Sequence, residues 1–271
     1  MPNTNTYFEE LQEWSSRKHE LLTKYLDGFM RILGSRNRQF YYIDGFAGPG
    51  IYGDGKKGSP VLAAEFAQTL QGKNYRLSCI NVEVDDELYR NLEANTSPHK
   101  NVATNLCGEF GSQLDAILRQ INAHPAIFFL DPFGVKGVEW KYVSRILNRP
   151  SITELLVRVN PIDLRRLAGF LDSDDPAAPN KRRILDELFG DSQGWEQAWR
   201  SNGEAGLISL YMSRLAKETK GYACRYPIRS IGGELKYFLL FATKHPKGAM
   251  LMNESWSGRG SPLSLPLPNR T

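Results

Sequence analysis

Apolar positions along the chain follow two periods, one helical and one strand-like, and the two alternate in a regular order. Phe8, Leu11, Trp14, Leu21, Leu22, Tyr25, Leu26, Phe29 and Ile32 recur at near-helical spacing over residues 5–33, and Gly34 ends the run. Phe40-Tyr41-Tyr42-Ile43 is an aromatic and β-branched run that predicts a buried strand. It leads into Asp44-Gly45-Phe46-Ala47-Gly48-Pro49-Gly50. After a polar loop, Tyr52 to Gly58, Ser59-Pro60 predicts a helix start, with Ser59 as N-cap and Pro60 in the first helical position. That helix runs through Leu62, Ala63, Phe66 and Leu70 to Gly72.

The alternation repeats. Strands are predicted at Leu77–Glu83, Asn101–Leu106, Ala126–Leu130 and Ile152–Val159, and helices at Asp85–Asn95, Glu109–Ala123 and Val138–Leu147. This order predicts the α/β class, with a doubly wound, mostly parallel sheet. Residues 161–205 are polar, punctuated by Pro176 and Pro179, and read as a helical insertion or cap. Leu207–Leu215 is a further helix. Tyr222–Arg229 and Lys236–Thr243 pair as an antiparallel hairpin across Ser230–Glu234. A parallel sheet that ends in such a hairpin is the usual layout of methyltransferase domains. The expected organisation is a helical segment at 1–36, an α/β domain at 37–256 with its insertion at about 161–205, and a loose tail at 257–271.

Composition narrows the class. A chain of 271 residues with 41% apolar and 24% charged residues can bury one large core. No apolar run approaches the roughly 20 residues that span a bilayer, so no membrane association is expected. The N-terminal MPNTNTYFEELQEWSS carries acidic residues and no apolar centre, unlike a signal peptide, and a cytoplasmic location is expected. Lys and Arg number 34 against 30 Asp and Glu, a net charge of +4 that allows nucleic-acid contact without requiring it. Cys79, Cys107 and Cys224 are scattered, so three buried thiols are expected rather than disulfides. The four histidines share no ligand spacing with cysteines or carboxylates, and no metal site is expected.

Candidate chemistry lies at the strand ends. In Asp44-x-Phe46-x-Gly48-x-Gly50, glycines permit positive φ angles and close backbone approach to a ligand. Open α/β sheets bind ligands at the carboxyl ends of their strands. A cofactor with an amino acid and a sulfonium needs a carboxylate near its ammonium group, and Asp44 is placed for that, with Gly45 inside the same turn. A structural glycine turn is the plainer alternative. Glu83 ends the second strand, where a carboxylate meets ribose hydroxyls; a solvated acid beside Asp85, Asp86 and Glu87 is its alternative. Glu109 follows the third strand, where a polar residue often meets adenine, and helix N-terminal charge explains it equally well.

Asp131-Pro132-Phe133-Gly134 ends the fourth strand and resembles the Asp/Asn-Pro-Pro-Tyr/Phe loop of amino-group methyltransferases. A carboxylate and a proline-held carbonyl can accept the two N–H bonds of an exocyclic amine, while an aromatic ring stacks on the base. With one proline rather than two, this loop is closer to that of tRNA guanine-N2 dimethyltransferases. A plain strand-terminating turn is the alternative. The text is not a kinase Asp-Phe-Gly, since Pro132 interrupts it and no kinase glycine loop precedes it. Lys18, His19 and Tyr25 read as a solvated helix face, with a lid over the pocket as the alternative. Lys181-Arg182-Arg183, Arg165 and Arg166 read as another solvated face, with a phosphate grip as the alternative. Trp195 and Trp199 read as core.

Lys18-His19-Glu20 with Tyr25-Leu26, Tyr42–Gly50, Gly58-Ser59-Pro60, Asp131–Gly134 and Tyr237–Thr243 together resemble the three-Cys-motif partner protein family, TcmP, over about residues 8–253. The resemblance implies a class I S-adenosylmethionine-dependent methyltransferase-like domain encoded beside a three-cysteine-motif protein, its possible partner. The cysteines of that motif belong to the neighbour. The expected activity is methyl transfer to an amino group, with a nucleic-acid base as candidate substrate. Asp44, Gly48 and Gly50 would hold the amino-acid end of S-adenosyl-L-methionine and Glu83 its ribose. Asp131 and Pro132 would orient the acceptor amine, and Phe133 would stack on its ring. The runner-up is a non-catalytic partner subunit that keeps the fold; a third reading is another enzyme using the same cofactor or a nucleotide.

Overall fold

The computed structural model describes residues 13–36 and 38–257. Positions 5–12 of the expected first helix and 258–271 of the expected tail lie outside the described residues. The strands are β1 Gln39–Asp44, β2 Arg76–Glu83, β3 Ala103–Cys107, β4 Ala126–Leu130, β5 Thr153–Val159, β6 Tyr222–Arg229 and β7 Leu235–Thr243. The helices are α1 Glu13–Leu33, α2 Ser59–Thr69, α3 Asp86–Thr96, α4 Phe110–Ile121 and α5 Trp140–Leu147. After them come α6 Pro161–Ala168, α7 Ala178–Phe189, α8 Gln193–Thr219 and α9 Pro246–Ser257. One seven-stranded sheet has the order β3-β2-β1-β4-β5-β7-β6. Strands β1 to β5 are parallel, and β7 runs antiparallel between β5 and β6. This is the expected doubly wound, mostly parallel sheet of the Rossmann-like methyltransferase type, closed by a hairpin.

Side-chain alternation divides the core between the two faces of the sheet. Phe40 and Tyr42 of β1, Ile127 and Phe129 of β4, and Leu239 and Phe241 of β7 pack with α1, α2 and α9. Ile43, Phe128, Leu130, Leu240 and Ala242 pack with α4 to α8. Each such leucine, isoleucine or phenylalanine contributes roughly 1.5–3 kcal/mol by leaving water. Leu21, Leu22, Tyr25, Leu26 and Phe29 supply the buried stripe of α1.

Three elements differ from the sequence reading. Residues 161–205 are helical, but they wall the core rather than cap it: Leu164, Leu185, Phe189 and Trp195 are fully buried. Their polar appearance comes from outward ion pairs such as Arg165–Glu204 and Arg200–Asp172. The stretch Leu207–Leu215 is the second half of α8, which bends at Asn202 and Gly203, the latter at φ 52°. Helix α9 is absent from the sequence reading, and it packs Ala249 and Met252 into the α1 face. Cys79 and Cys224 are buried as expected, whereas Cys107, the last residue of edge strand β3, is exposed. No helix among the described residues is long and apolar enough to cross a membrane.

Candidate functional site

The turn after β1 is built around a buried carboxylate. Asp44 has no solvent exposure. It accepts hydrogen bonds from the Tyr42 hydroxyl at 3.1 Å and the Phe46 N–H at 3.3 Å, and Ser59 lies near enough to favour its ionised form. Burial raises its pKa to about 6, against the opposing hydrogen bonds and the charge of Lys18. Asp44 therefore lies beneath the turn, not on its surface. Ser59 is not the N-cap of α2; Gly58 holds that position, and Ser59 is buried near Asp44. Gly48 and Gly50 take φ angles of 63° and 80°, which side-chain-bearing residues avoid. Gly45 is needed for another reason: a Cβ there would lie 2.6 Å from Leu130 Cδ2.

Glu83 ties this turn to the end of β2. Its Oε2 accepts the Gly48 N–H at 2.7 Å, and its Oε1 accepts those of Val84 at 2.8 Å and Asp85 at 2.9 Å. Burial raises its pKa, and the three N–H bonds work against that shift. A crevice opens beside it, lined by Gly45, Phe46, Glu83, Val84, Glu109, Phe110, Lys136 and Tyr142. Val84 is 57% exposed there. Lys136 Nζ donates to Glu109 Oε1 at 2.6 Å and holds that carboxyl below its usual range. The structure thus brings Gly45, Phe46, Glu83 and Glu109 to one crevice, with Gly48 and Gly50 in the adjoining turn. Phe110, Lys136 and Tyr142 escaped the sequence reading, because a strand-end motif does not show which later helix faces it.

Asp131 stands on the neighbouring strand. Asp44 pairs with Phe129 in the register of β1 and β4, and the Gly45 N–H donates to the Phe129 carbonyl at 3.0 Å. The strand order reverses between β1 and β4, where open α/β sheets place their ligand crevice. Lys18 of α1 reaches across, its Nζ donating to Asp131 Oδ2. Arg158 Nε lies 3.6 Å from Asp131 Oδ1, and Arg158 Nη1 donates to the Pro132 carbonyl at 2.9 Å. The Arg158 guanidinium stacks over Tyr237 at 4.7 Å. Burial opposes ionisation of Asp131, but Lys18 and Arg158 outweigh it and hold the carboxyl below its usual range. His19, also against this cluster, is lowered to about 3 by burial and by Lys18, so its ring is neutral. Lys18 and His19 are 4% and 5% exposed, so this is not the solvated face of the sequence reading. Phe133, by contrast, is 47% exposed, and Ile162 is 40% exposed at the start of α6.

Lys181-Arg182-Arg183 lie on α7 and Arg165 and Arg166 on α6, and none of them pairs with Asp131. Arg165 and Arg183 are held by Glu204 and Glu187, and Arg182 donates to the Leu171 carbonyl.

No known family's sequence profile matches the chain, and no curated protein matches it. Similar solved structures include the O-methyltransferase TomG from Streptomyces achromogenes in complex with S-adenosylmethionine. It is 13% identical, covers 89% of this chain and 96% of its own, and gives a TM-score of 0.46. An O-methyltransferase from Bacillus cereus in complex with S-adenosylhomocysteine is 14% identical over 82% of this chain and 80% of its own, with a TM-score of 0.45. The carbon methyltransferase DszA is 12% identical over 88% of this chain and 56% of its own, with a TM-score of 0.47. The fold reading rests on strand order and register, not on these distant likenesses.

Proposed function

We propose that this chain is an S-adenosyl-L-methionine-dependent methyltransferase acting on an amino group, with a nucleic-acid base as the favoured acceptor. The supporting observation is the crevice at the carboxyl ends of β1 to β3, with Asp131 following β4, the strand next to β1 at the reversal of strand order. Its lining fits an adenosyl group. Phe46, Val84, Phe110 and Tyr142 offer apolar and aromatic surface for a purine, and Glu83 and Glu109 offer carboxylates to hydroxyl and amino donors. A nucleotide-diphosphate site would instead gather N–H donors and cations. Here the lining cation, Lys136, is paired with Glu109. Asp44 places negative charge beneath the turn, where the cofactor's ammonium would lie above it. The cofactor would supply a methyl group activated on sulfur.

The residues of this chain then act by positioning. Asp131 is an ionised acceptor at the rim, and its present partner, the Lys18 ammonium, occupies the place of an N–H donor. An acceptor amine enters by displacing Lys18, its N–H bonds taken by Asp131 and the Pro132 carbonyl. Phe133 and Ile162 offer apolar surface for the attached ring. The depressed pKa values of Asp131 and His19 make both poor bases, so the proton released from nitrogen passes to water. The TcmP resemblance, with a three-cysteine-motif protein as partner, belongs to the same proposal.

One observation favours the second reading, a non-catalytic partner subunit: Lys18 and Arg158 already occupy both acceptors at Asp131-Pro132. Transfer of a radiolabelled methyl group into mixed RNA, DNA and protein separates the two. Labelling by wild type that falls at least a hundredfold in Asp131→Ala supports the enzyme. Labelling unchanged by that substitution discards the role of Asp131, and no labelling by folded protein that binds the cofactor supports the second reading.

A further inference from the structure

The two edges of the sheet differ sharply in charge. At the edge opposite the crevice, where β1 to β5 begin, β6 begins and β7 ends, the connections are 34–38, 70–75, 97–102, 122–125, 148–152, 220–221 and 244–245. Not one Asp or Glu occurs in them. Arg36 and Arg38 precede β1, Lys73 and Arg76 lead into β2, and Lys100 precedes β3. Lys220 precedes β6, and Lys244 and Lys247 follow β7. All eight are exposed. The crevice edge, by contrast, carries Asp54, Asp85, Glu109, Asp131, Glu139 and Glu234 on its loops against Lys56, Lys57 and Lys136, each of which is ion-paired.

No Asp or Glu among the described residues forms an ion pair with Arg36, Arg38, Lys73, Arg76, Lys100, Lys220, Lys244 or Lys247. Like charges are held close enough to be felt. Lys244 is lowered by partial burial and then by the charges of Arg149 and Lys220. A hollow of about 350 Å³ opens on the edge between Gln39, Lys73, Arg76, Ser78 and Asn101. The eight cations fall in two groups, five at the starts of β3, β2 and β1 and three at β7 and β6, with the starts of β4 and β5 between them; seven strands about 4.8 Å apart spread the two groups over on the order of 30 Å. Surface cations elsewhere in this protein are mostly neutralised, for example Arg183 by Glu187 and Arg200 by Asp172. A row of uncompensated charge repels itself, and that cost is offset when a polyanion covers it.

We infer that this edge binds the phosphate backbone of a nucleic acid, without reading its sequence, on the side of the molecule opposite the crevice. A protein partner would need an apolar or aromatic centre to its contact. Of the large apolar side chains on these seven connections, Ile152 is the exposed one, at 39%. A phosphodiester chain needs spaced cations and hydrogen-bond donors, and both are present. The inference is independent of methyl transfer in the crevice.

Fluorescence anisotropy of the full chain with a labelled 24-nucleotide RNA and a 24-base-pair DNA duplex, over a salt series, provides the test. Wild type binds both, with affinity falling steeply as salt rises. The triple variant Arg38→Ala/Lys73→Ala/Arg76→Ala flattens the log–log salt slope by roughly 2.1 on RNA and 2.7 on duplex DNA, since each lost phosphate contact removes about 0.7 to 0.9. It weakens binding at least tenfold at about 0.1 M salt and leaves S-adenosylmethionine binding unchanged. A second variant, Lys100→Ala/Lys220→Ala/Lys247→Ala, weakens binding independently should the first fail to fold. The control Arg166→Ala/Lys181→Ala/Arg183→Ala changes little. The inference is overturned by no binding at low salt, by binding that survives both edge variants, or by binding that only the control abolishes. Polyglutamate competing as well as RNA at equal charge assigns the edge to an acidic protein, and also overturns it.

Discussion

Asp131 carries a negative charge that two cations share, and the chemistry at the rim follows from that balance. Lys18 contributes a charge-assisted hydrogen bond of about 1.5–3 kcal/mol, so the acceptor amine of the proposed reaction would compete with it on comparable terms. Lys18→Ala is therefore expected to lower the KM for the acceptor about tenfold while kcat changes little, read in steady-state methyl transfer. A KM that is unchanged or higher would show that Lys18 helps bind the acceptor instead. Asp44 makes a pH prediction. Its pKa of about 6 means that the carboxylate gains a proton as pH falls through 6, and the charge beneath the turn disappears. Cofactor affinity should accordingly drop several-fold between pH 7.5 and 5, and Asp44→Asn should be weaker at pH 7.5 and show a smaller drop, the remainder coming from Glu83. Calorimetry at the two pH values checks this; equal affinities in wild type would remove Asp44 from cofactor binding. The strand-end acids and glycines were legible in the sequence because each follows an apolar run. The partners Lys18 and Arg158 were not, because Lys18 lies 113 positions from Asp131 and only the docking of α1 on the sheet brings them together.

Among the elements, β5, β7 and α1 meet at a second buried carboxyl. Glu154 Oε1 accepts from the Thr243 hydroxyl at 3.0 Å, and the buried Tyr25 side chain lies near it. Burial raises its pKa from 4.5 to about 8. The folded state thus holds this proton more tightly than the unfolded chain does. The associated stability is complete below about pH 4.5 and is lost as pH rises toward 8, at up to about 1.4 kcal/mol per pH unit. Glu154→Gln should flatten that slope and raise the urea midpoint at pH 8; a wild-type midpoint that does not fall from pH 5 to 8 would contradict it. Trp195 tests the α6–α8 layer in the same way. Its indole is fully buried and donates to Asp186 at 2.8 Å, so Trp195→Ala should cost about 3–5 kcal/mol in denaturant unfolding. A cost under about 1 kcal/mol would mean that the layer is a detachable cap. Strands β1 to β7 could be read from the chain because their apolar runs are short and bounded by turns. Helix α8 could not be read whole, since Gly203 interrupts its period, and the outward ion pairs of 161–205 hid its buried stripe.

Across the whole molecule, the parallel sheet sorts charge between its two ends. Single cations such as Arg38 or Lys100 look ordinary in the sequence, and they form a row only because the topology gathers the strand starts along one edge. The same topology gathers the strand ends with Glu83 and Glu109 around one crevice, and sets Asp131 after the strand next to β1. Everything proposed for catalysis depends on that crevice accepting an adenosyl sulfonium, and isothermal calorimetry of wild type with S-adenosylmethionine asks this directly, with Glu83→Gln beside it. The expected result is saturable binding in the micromolar range, weakened about tenfold or more by Glu83→Gln without loss of fold. Absence of binding to folded wild-type protein at millimolar S-adenosylmethionine would contradict it.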